Sequence, residues 1–319
     1  PFSAMEVSSH SLELHRVTSL KFDAAAFTNL TRDHLDFHGT MEKYYEAKRK
    51  LFDLVKPGGA SVINIEDNYG VRLASEMDGK KVIKVGSSAP ADIRPGNIEM
   101  SIAGIRGTAL TPFGDLVIDS PLVGRYNLFN ILTAAGVALS MGISREAAAL
   151  GISKTLGIPG RLERVDAGQE FSVFVDYAHT DDALKNLLSN LKPLIKGRLI
   201  TVFGCGGNRD RTKRPLMGAV SARLSDVVVL TADNSRDEDP ADIARDIEAG
   251  ITPELTGAKK YIRELDRREA IRKAFAEAGR DDAVVIAGKG HEKTQTARGV
   301  SIAFHDPTVA MEILGEARG

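Results

Sequence analysis

The chain has 319 residues, 43% of them hydrophobic and 27% charged, with a formal net charge of −1. This is the balance of an ordinary globular protein long enough for two domains, and it excludes a bulk electrostatic grip on nucleic acid. No apolar run reaches the roughly 18 residues of a membrane span, and the single cysteine, Cys205, excludes an intrachain disulfide and the CxxC metal patterns, so a cytoplasmic location is expected.

The chain opens on Pro1-Phe2-Ser3-Ala4 and runs straight into Met5-Glu6-Val7-Ser8-Ser9-His10, with neither initiator methionine nor leader, as expected of a piece cut from a longer protein. Ala24 to Thr28 reads as a short strand. Thr40 to Val55 reads as a helix capped by Thr40, with Tyr44, Lys48 and Leu51 at helical spacing, and Pro57-Gly58-Gly59 is expected to end it. Ala60 to Ile65 is the next strand, and this βαβ rhythm implies a parallel sheet. Residues 97–123 differ. Ile98 to Ile102, Gly107 to Thr111 and Asp115 to Ile118 alternate in polarity and predict a small antiparallel meander. Asn127 to Met141 then reads as an Ala- and Leu-rich helix, and Ser144 caps another.

Ile158-Pro159-Gly160 is the expected boundary and candidate hinge between a first domain, 1–158, and a second, 159–319. Beyond it strands at Phe171 to Val175, Leu199 to Phe203, Val227 to Thr231 and Ala283 to Ala287 alternate with helices at Asp181 to Leu191, Pro215 to Leu224 and Pro240 to Gly250. The fold class expected is α/β: two doubly wound, mostly parallel sheet domains, the first truncated and carrying the meander.

Polar clusters follow each strand of the second domain: Asp176-Tyr177-Ala178-His179, Gly204 to Arg211, Asp233-Asn234-Ser235-Arg236 and Gly288-Lys289-Gly290-His291-Glu292. Ligands of doubly wound sheets bind at the carboxyl ends of strands, so these loops predict one pocket. The stretch from Gly204 to Arg214 stands out, because a glycine turn with four cations and one acid suits a carboxylate or phosphate. Loops are polar in any protein, and that is the plainer alternative. In the first domain Glu6 and His34 are ordinary ligands for a divalent cation. Lys48 is not one while it is an ammonium. An exposed helix lysine is the ordinary reading; buried and neutral, it could add CO₂ and become an oxygen donor as its carbamate.

Several motifs stand in order along the chain: Glu6-Val7-Ser8-Ser9-His10, Thr28-Asn29-Leu30 with Asp33-His34-Leu35-Asp36, Tyr45 with Lys48, Gly124 with Asn127 and Asn130, Gly160-Arg161-Leu162-Glu163, Asp176-Tyr177-Ala178-His179, Gly204-Cys205-Gly206-Gly207 with Arg209-Asp210, and Gly288-Lys289-Gly290-His291-Glu292. On these residues the chain resembles the Mur ligases of peptidoglycan synthesis, and among them the MurE type.

The resemblance implies an ATP-dependent amide-forming ligase. ATP would phosphorylate the D-glutamate γ-carboxylate of UDP-MurNAc-L-Ala-D-Glu, and the amino group of meso-diaminopimelate would attack the acyl phosphate, giving ADP and phosphate. It implies Mg²⁺ as the ion that neutralises the gathering charge. Glu6 and His34 match family metal ligands, and Lys48 falls on the position that the family carbamylates. Ser8 and Arg16 match positions that hold the nucleotide-sugar substrate. Asn127, Arg161 and Asp176 match ATP contacts, and His179 a residue beside the nucleotide. Arg209, Asn234, Arg236, Gly288 and Glu292 match the grip on diaminopimelate, whose distal carbon bears both a carboxylate for an arginine and an ammonium for an acid. A lysine substrate would leave Arg236 facing nothing. A cytoplasmic monomer without nucleic-acid or membrane partners is expected.

Two departures stand out. The family has Asp-Asn-Pro-Arg where this chain has Asp233-Asn234-Ser235-Arg236, and serine does not fix φ as proline does. The Gly-Lys-Thr phosphate loop is not found, and Gly79-Lys80 lacks the second glycine that would make it one. The chain alone is therefore expected not to turn over ATP. The rival readings are a lysine-adding ligase, a folylpolyglutamate synthetase and a non-catalytic scaffold.

Overall fold

The computed structural model describes residues 2–31 and 33–316; Pro1, Arg32 of the His34 stretch and the last three residues lie outside the described residues. The chain divides into two compact units, Pro1–Leu156 and Gly157–Gly319.

The first unit is built on a parallel sheet in the order β1 (Phe22–Phe27), β2 (Val55–Asn64), β3 (Lys81–Val85). Helices α1 (Ser9–Glu13), α2 (Leu35–His38), α3 (Met41–Asp53) and α4 (Asn68–Ser75) accompany it. Thr40 caps α3 as expected, its hydroxyl accepting from Lys43 N–H at 3.2 Å. Tyr44, Tyr45 and Phe52 of α3 pack with Phe27, Ile63 and Leu73 under one face of the sheet.

Pro57-Gly58-Gly59 does not end that helix. The helix stops at Asp53, and the three residues lie inside β2, where Phe22 pairs with Val55 and the next pair is Ala24 with Ala60. The surplus residues loop out as a bulge, which Gly58 permits at φ +79°.

The expected meander is β4 (Arg94–Ser101), β5 (Gly104–Leu110) and β6 (Leu116–Ser120), a separate antiparallel sheet. Its Ile105, Leu116 and Ile118 share a core with Val62, Ile83, and Leu128 and Leu132 of α5 (Arg125–Ser140). Helix α6 (Arg145–Lys154) follows, capped by Ser144.

The second unit holds a six-stranded sheet. Its strands are β7 (Glu163–Val165), β8 (Ser172–Asp176), β9 (Leu199–Phe203), β10 (Val227–Leu230), β11 (Lys260–Arg263) and β12 (Ala283–Ala287), in the order β11-β10-β9-β12-β8-β7. All are parallel except the edge strand β7. The central strands are buried at almost every position, as the apolar runs demand when helices cover both faces. Helices α7 (Asp181–Leu191), α8 (Lys213–Leu224) and α9 (Pro240–Ile251) pack in a row. Ala270, Ile271 and Phe275 of α10 (Arg267–Glu277) and Val309 and Ile313 of α11 (Asp306–Glu316) cover alternate residues of the strands, among them Val173, Val202 and Val284. A hairpin of β13 (Thr294–Ala297) and β14 (Val300–Ala303), not anticipated from the sequence, stands apart from this sheet. Among the described residues no helix is long and apolar enough to cross a membrane.

Candidate active site

Strands β8, β12, β9 and β10 are parallel neighbours, so their carboxyl ends lie side by side. The four polar loops that leave them share one edge of the second unit. They are also tied together. Gly288 N–H donates to Asp176 C=O at 3.0 Å, and Gly207 N–H to Asn234 C=O at 2.9 Å. Gly207 must be glycine for this approach, since a Cβ there would fall 1.9 Å from Ser235 C=O. Gly288, at φ +113°, likewise leaves only 2.8 Å between a would-be Cβ and Asp233 Oδ2.

Arg236 sits in the left-handed region at φ +52°, where side chains other than glycine are uncommon. The hairpin holds it there: Arg236 N–H donates to Thr296 C=O at 3.1 Å, and Arg298 N–H donates to Arg236 C=O. Its Nη1 donates to Gly207 C=O at 2.6 Å. Its Nε and Nη2 have no hydrogen-bond partner among the described residues, so one two-pronged edge of the guanidinium is open. Both Arg236 and Arg209 border Gly206, whose would-be Cβ falls 2.9 Å from Arg236 Nη1 and 3.9 Å from Arg209 Cγ.

Of the four cations in the Gly204–Arg214 stretch, only Arg209 is left without a partner among the described residues. Arg214 is fully buried and grips Glu238 at 2.8 Å and Asp246 at 2.8 Å. Arg211 pairs with Asp246 at 3.1 Å, and Lys213 donates to His179 C=O at 2.6 Å. The stretch is thus largely a brace for its own loop. The hydrogen bond from Arg214, with that from Asn208 N–H, pulls the Glu238 carboxyl down to about 2.

Glu292 and Asn234 face each other, Asn234 Nδ2 donating to Glu292 Oε2 at 2.8 Å. Asn234 Oδ1 accepts from Thr296 N–H at 2.9 Å, so its amide is spent on protein partners. Asp176 is buried, and both its oxygens accept backbone N–H groups, from Leu162 at 2.7 Å and Ala178 at 2.8 Å. Burial pushes its carboxyl up, against those two bonds. Arg161 is exposed, its guanidinium 5.3 Å from the Tyr177 ring centroid. His179 Nδ1 lies 2.8 Å from Tyr177 C=O, an acceptor, so Nδ1 carries the proton and Nε2 stays free.

In the first unit the candidates gather more loosely. The Lys48 ammonium stands 5.3 Å from the Tyr44 ring centroid, and the His34 ring 5.9 Å from the same ring. Lys48 is half-buried rather than exposed, and burial lowers its pKa, while the carboxylates of Glu6 and Asp33 pull the other way. His34 is exposed at φ +52°, with Nε2 3.6 Å from Asp33 Oδ2. Among the described residues no three His, Cys, Asp or Glu side chains form a metal-binding group. Glu6 and His34 therefore do not make up a metal site by themselves, and one built on them would need a further oxygen donor. Ser8 caps α1 through Ser11 N–H at 3.1 Å, and Arg16 is exposed. Asn127 Nδ2 donates to Val123 C=O at 2.9 Å at the start of α5.

Two residues of this frame escaped the sequence reading. Lys289 is fully buried between Asn234 and Glu292, although it lies in the quoted Gly-Lys-Gly motif. Thr296 lies on the unanticipated hairpin. A cavity of about 1050 Å³ opens beside the same loop, lined by Asp233 and Ser235 with Leu265, Val300, Ile302 and Phe304. Arg209, Asn234, Arg236 and Glu292 do not line it, so the polar chemistry is elsewhere.

Residues 1–138 match the Mur ligase middle domain, and residues 160–290 match the Mur ligase glutamate ligase domain. The chain belongs to the Mur ligase family. A UDP-N-acetylmuramoyl-L-alanyl-D-glutamate–2,6-diaminopimelate ligase of Gloeobacter violaceus is 49% identical over 99% of this Mur ligase chain and 64% of its own length. The ligase of the same name from Solibacter usitatus is 47% identical over 97% of the chain and 62% of its own. A solved structure, also of a ligase with that name, matches at a TM-score of 0.73 and 36% identity, covering 98% of this chain and 64% of its own. The chain thus spans less than two thirds of the length of these relatives.

Proposed function

We propose that the intact enzyme joins meso-diaminopimelate to the D-glutamate γ-carboxylate of UDP-MurNAc-L-Ala-D-Glu, in the cytoplasm, with cleavage of ATP to ADP and phosphate. Residues 1–158 would form part of the ATP-binding domain and 159–319 the amino-acid-binding domain. One observation carries the choice of amino acid: Arg236 offers an open Nε–Nη2 edge, and Glu292 lies in the same loop cluster. A cation and an anion in one loop cluster suit a carbon bearing both carboxylate and ammonium. The names of the relatives support the same reading.

Mg²⁺ would be held by Glu6, His34 and carbamylated Lys48, and would neutralise charge as phosphates and carboxylate come together. Lys48 supplies the amine that takes up CO₂, which its burial favours by disfavouring the ammonium. Arg161, Asp176 and Asn127 would hold ATP. Asp176 does so indirectly, because its two oxygens fix the Leu162 and Ala178 backbone beside Arg161 and His179. Ser8 and Arg16 would hold the nucleotide-sugar substrate.

The test is amino-acid-dependent ADP release by the intact enzyme. Diaminopimelate is expected to be used and lysine not. Arg236→Ala should raise KM for diaminopimelate about 30-fold, the loss of a charge-assisted pair of roughly 2 kcal/mol. Equal use of lysine, or an unchanged KM in Arg236→Ala, would refute the assignment.

A further inference from the structure

Lys289 follows Gly288 at the carboxyl end of β12 and has no exposed surface. Its Nζ donates to Glu292 Oε2 at 2.9 Å and to Asn234 Oδ1 at 3.3 Å, and stands 3.9 Å from Asp233 Oδ1. Asn234 Nδ2 donates to the same Glu292 Oε2 at 2.8 Å. Two donors therefore converge on one oxygen of Glu292. The other, Oε1, receives no hydrogen bond among the described residues.

A carboxylate pinned through one oxygen by two donors has lost most of its rotational freedom, and its second oxygen points in a set direction. A buried ammonium is costly unless it is paired and hydrogen-bonded. Here every near partner of the ammonium belongs to the recognition loops and none to the hydrophobic core. With Oε2 occupied by both donors, Oε1 is the oxygen of Glu292 left to accept a further donor.

We propose that Lys289 is a positioning residue of the amino-acid site, anchoring Glu292 through Oε2 so that Oε1 is held out for the ammonium of the incoming amino acid. This rests on the assignment of Glu292 to that ammonium made above. Three cations act on the carboxylate: Lys289 beside it, Arg236 from the loop after β10, and Arg267 at the start of α10, itself paired with Asp306 at 2.7 Å, while Asp233 stands 3.9 Å from the Lys289 ammonium. Burial raises the Glu292 pKa, but the hydrogen bonds from Lys289 and Asn234 and the charges of Lys289 and Arg236 hold it below the ordinary carboxylate value. Loss of Lys289 removes two of these stabilising influences and leaves burial opposed only by Asn234 and Arg236.

The test combines carbon-13 NMR of glutamate-labelled intact enzyme, with Glu292→Gln identifying the resonance, and steady-state kinetics. Lys289→Met should move the Glu292 titration midpoint up by at least about one pH unit, a tenfold change in proton affinity. It should raise KM for diaminopimelate about tenfold, and this KM should climb further as pH falls below 7. KM for ATP and for the nucleotide-sugar should stay within twofold. Lys289→Gln keeps a donor and loses the charge, and should fall between Lys289→Met and the native enzyme; it also serves if the apolar variant fails to fold. A KM for diaminopimelate that responds to Glu292→Gln but not to either Lys289 variant would overturn the role of Lys289. So would parallel changes in all three KM values, which mark a merely structural residue. A diaminopimelate KM indifferent to Glu292→Gln, with the titration shift intact, would instead fault the underlying assignment of the amino-acid site and the proposal with it.

Discussion

Lys289 is fully buried and Lys48 half-buried, yet only Lys289 has an anion at hydrogen-bond distance, Glu292 at 2.9 Å. Lys48 feels Glu6 and Asp33 only at longer range and leans on the Tyr44 ring. In the second unit the chain supplies its own counter-charges, so the loops after the strands are braced by the protein itself. In the first unit a desolvated amine lacks a close partner, and its proton is easier to lose. The contrast separates a cation neutralised within the fold from an amine with no close counter-charge.

The largest expected effect breaks the frame. Arg214 is a fully buried cation shared between Glu238 and Asp246, and Arg214→Met would leave Glu238 with the Asn208 N–H and Asp246 with Arg211. Both acids reach solvent and keep other partners, so the loss should sit at the low end of the range for a broken buried pair, about 3 kcal/mol, which denaturant unfolding would read directly. The pH dependence sharpens this. The folded Glu238 pKa of about 2 lies below its ordinary 4.5, so the unfolded chain binds more protons between those values. The contribution of Glu238 is therefore complete above about pH 4.5 and drains away as pH falls toward 2. Arg214→Met should flatten that acid limb. A melt within 1 kcal/mol of native (about the size of a surface change) would show that the brace is dispensable.

Next comes the amine. Lys48→Arg keeps a cation but stays protonated and forms no carbamate. It should lower kcat about 100-fold, the scale for loss of one electrostatic contributor to a transition state, with an unchanged unfolding midpoint. Native enzyme stripped of dissolved CO₂ should lose activity and regain it with bicarbonate. Full turnover by Lys48→Arg would remove the carbamate from the mechanism.

The same contrast explains what was legible in the residues. Helix α7 spans its expected Asp181–Leu191, and strands β9 and β12 lie where the apolar runs announce them, because burial on both faces writes an unbroken apolar run. The hairpin β13–β14 was missed because its outer strand is exposed throughout and carries no such signature. Pro57-Gly58-Gly59 reads as a helix stop by local rules, and only pairing with β1 turns it into a bulge. Lys289 and Arg214 look like ordinary loop and helix cations. Their burial comes from partners on other segments, Asn234 for Lys289 and Glu238 and Asp246 for Arg214, and no local pattern encodes that.

The smallest expected effect concerns Ser235, where the family carries proline. Serine was expected to loosen the recognition loop, but the neighbouring residues are pinned: Asn234 by Thr296 and Arg236 by both Thr296 and Arg298. Ser235 itself is buried, and its Oγ has no hydrogen-bond partner among the described residues. Nor does its backbone N–H donate to another backbone group there. Ser235→Pro would therefore remove an unsatisfied hydroxyl and restrict the unfolded chain, while breaking no backbone bond. Stability should rise by roughly 0.4–1 kcal/mol. KM for diaminopimelate should stay within twofold, because the hairpin and not the residue at 235 sets the loop. A variant that instead loses stability and binds diaminopimelate worse would show that the loop takes a backbone path closed to proline. The hairpin would then be a passenger on that path.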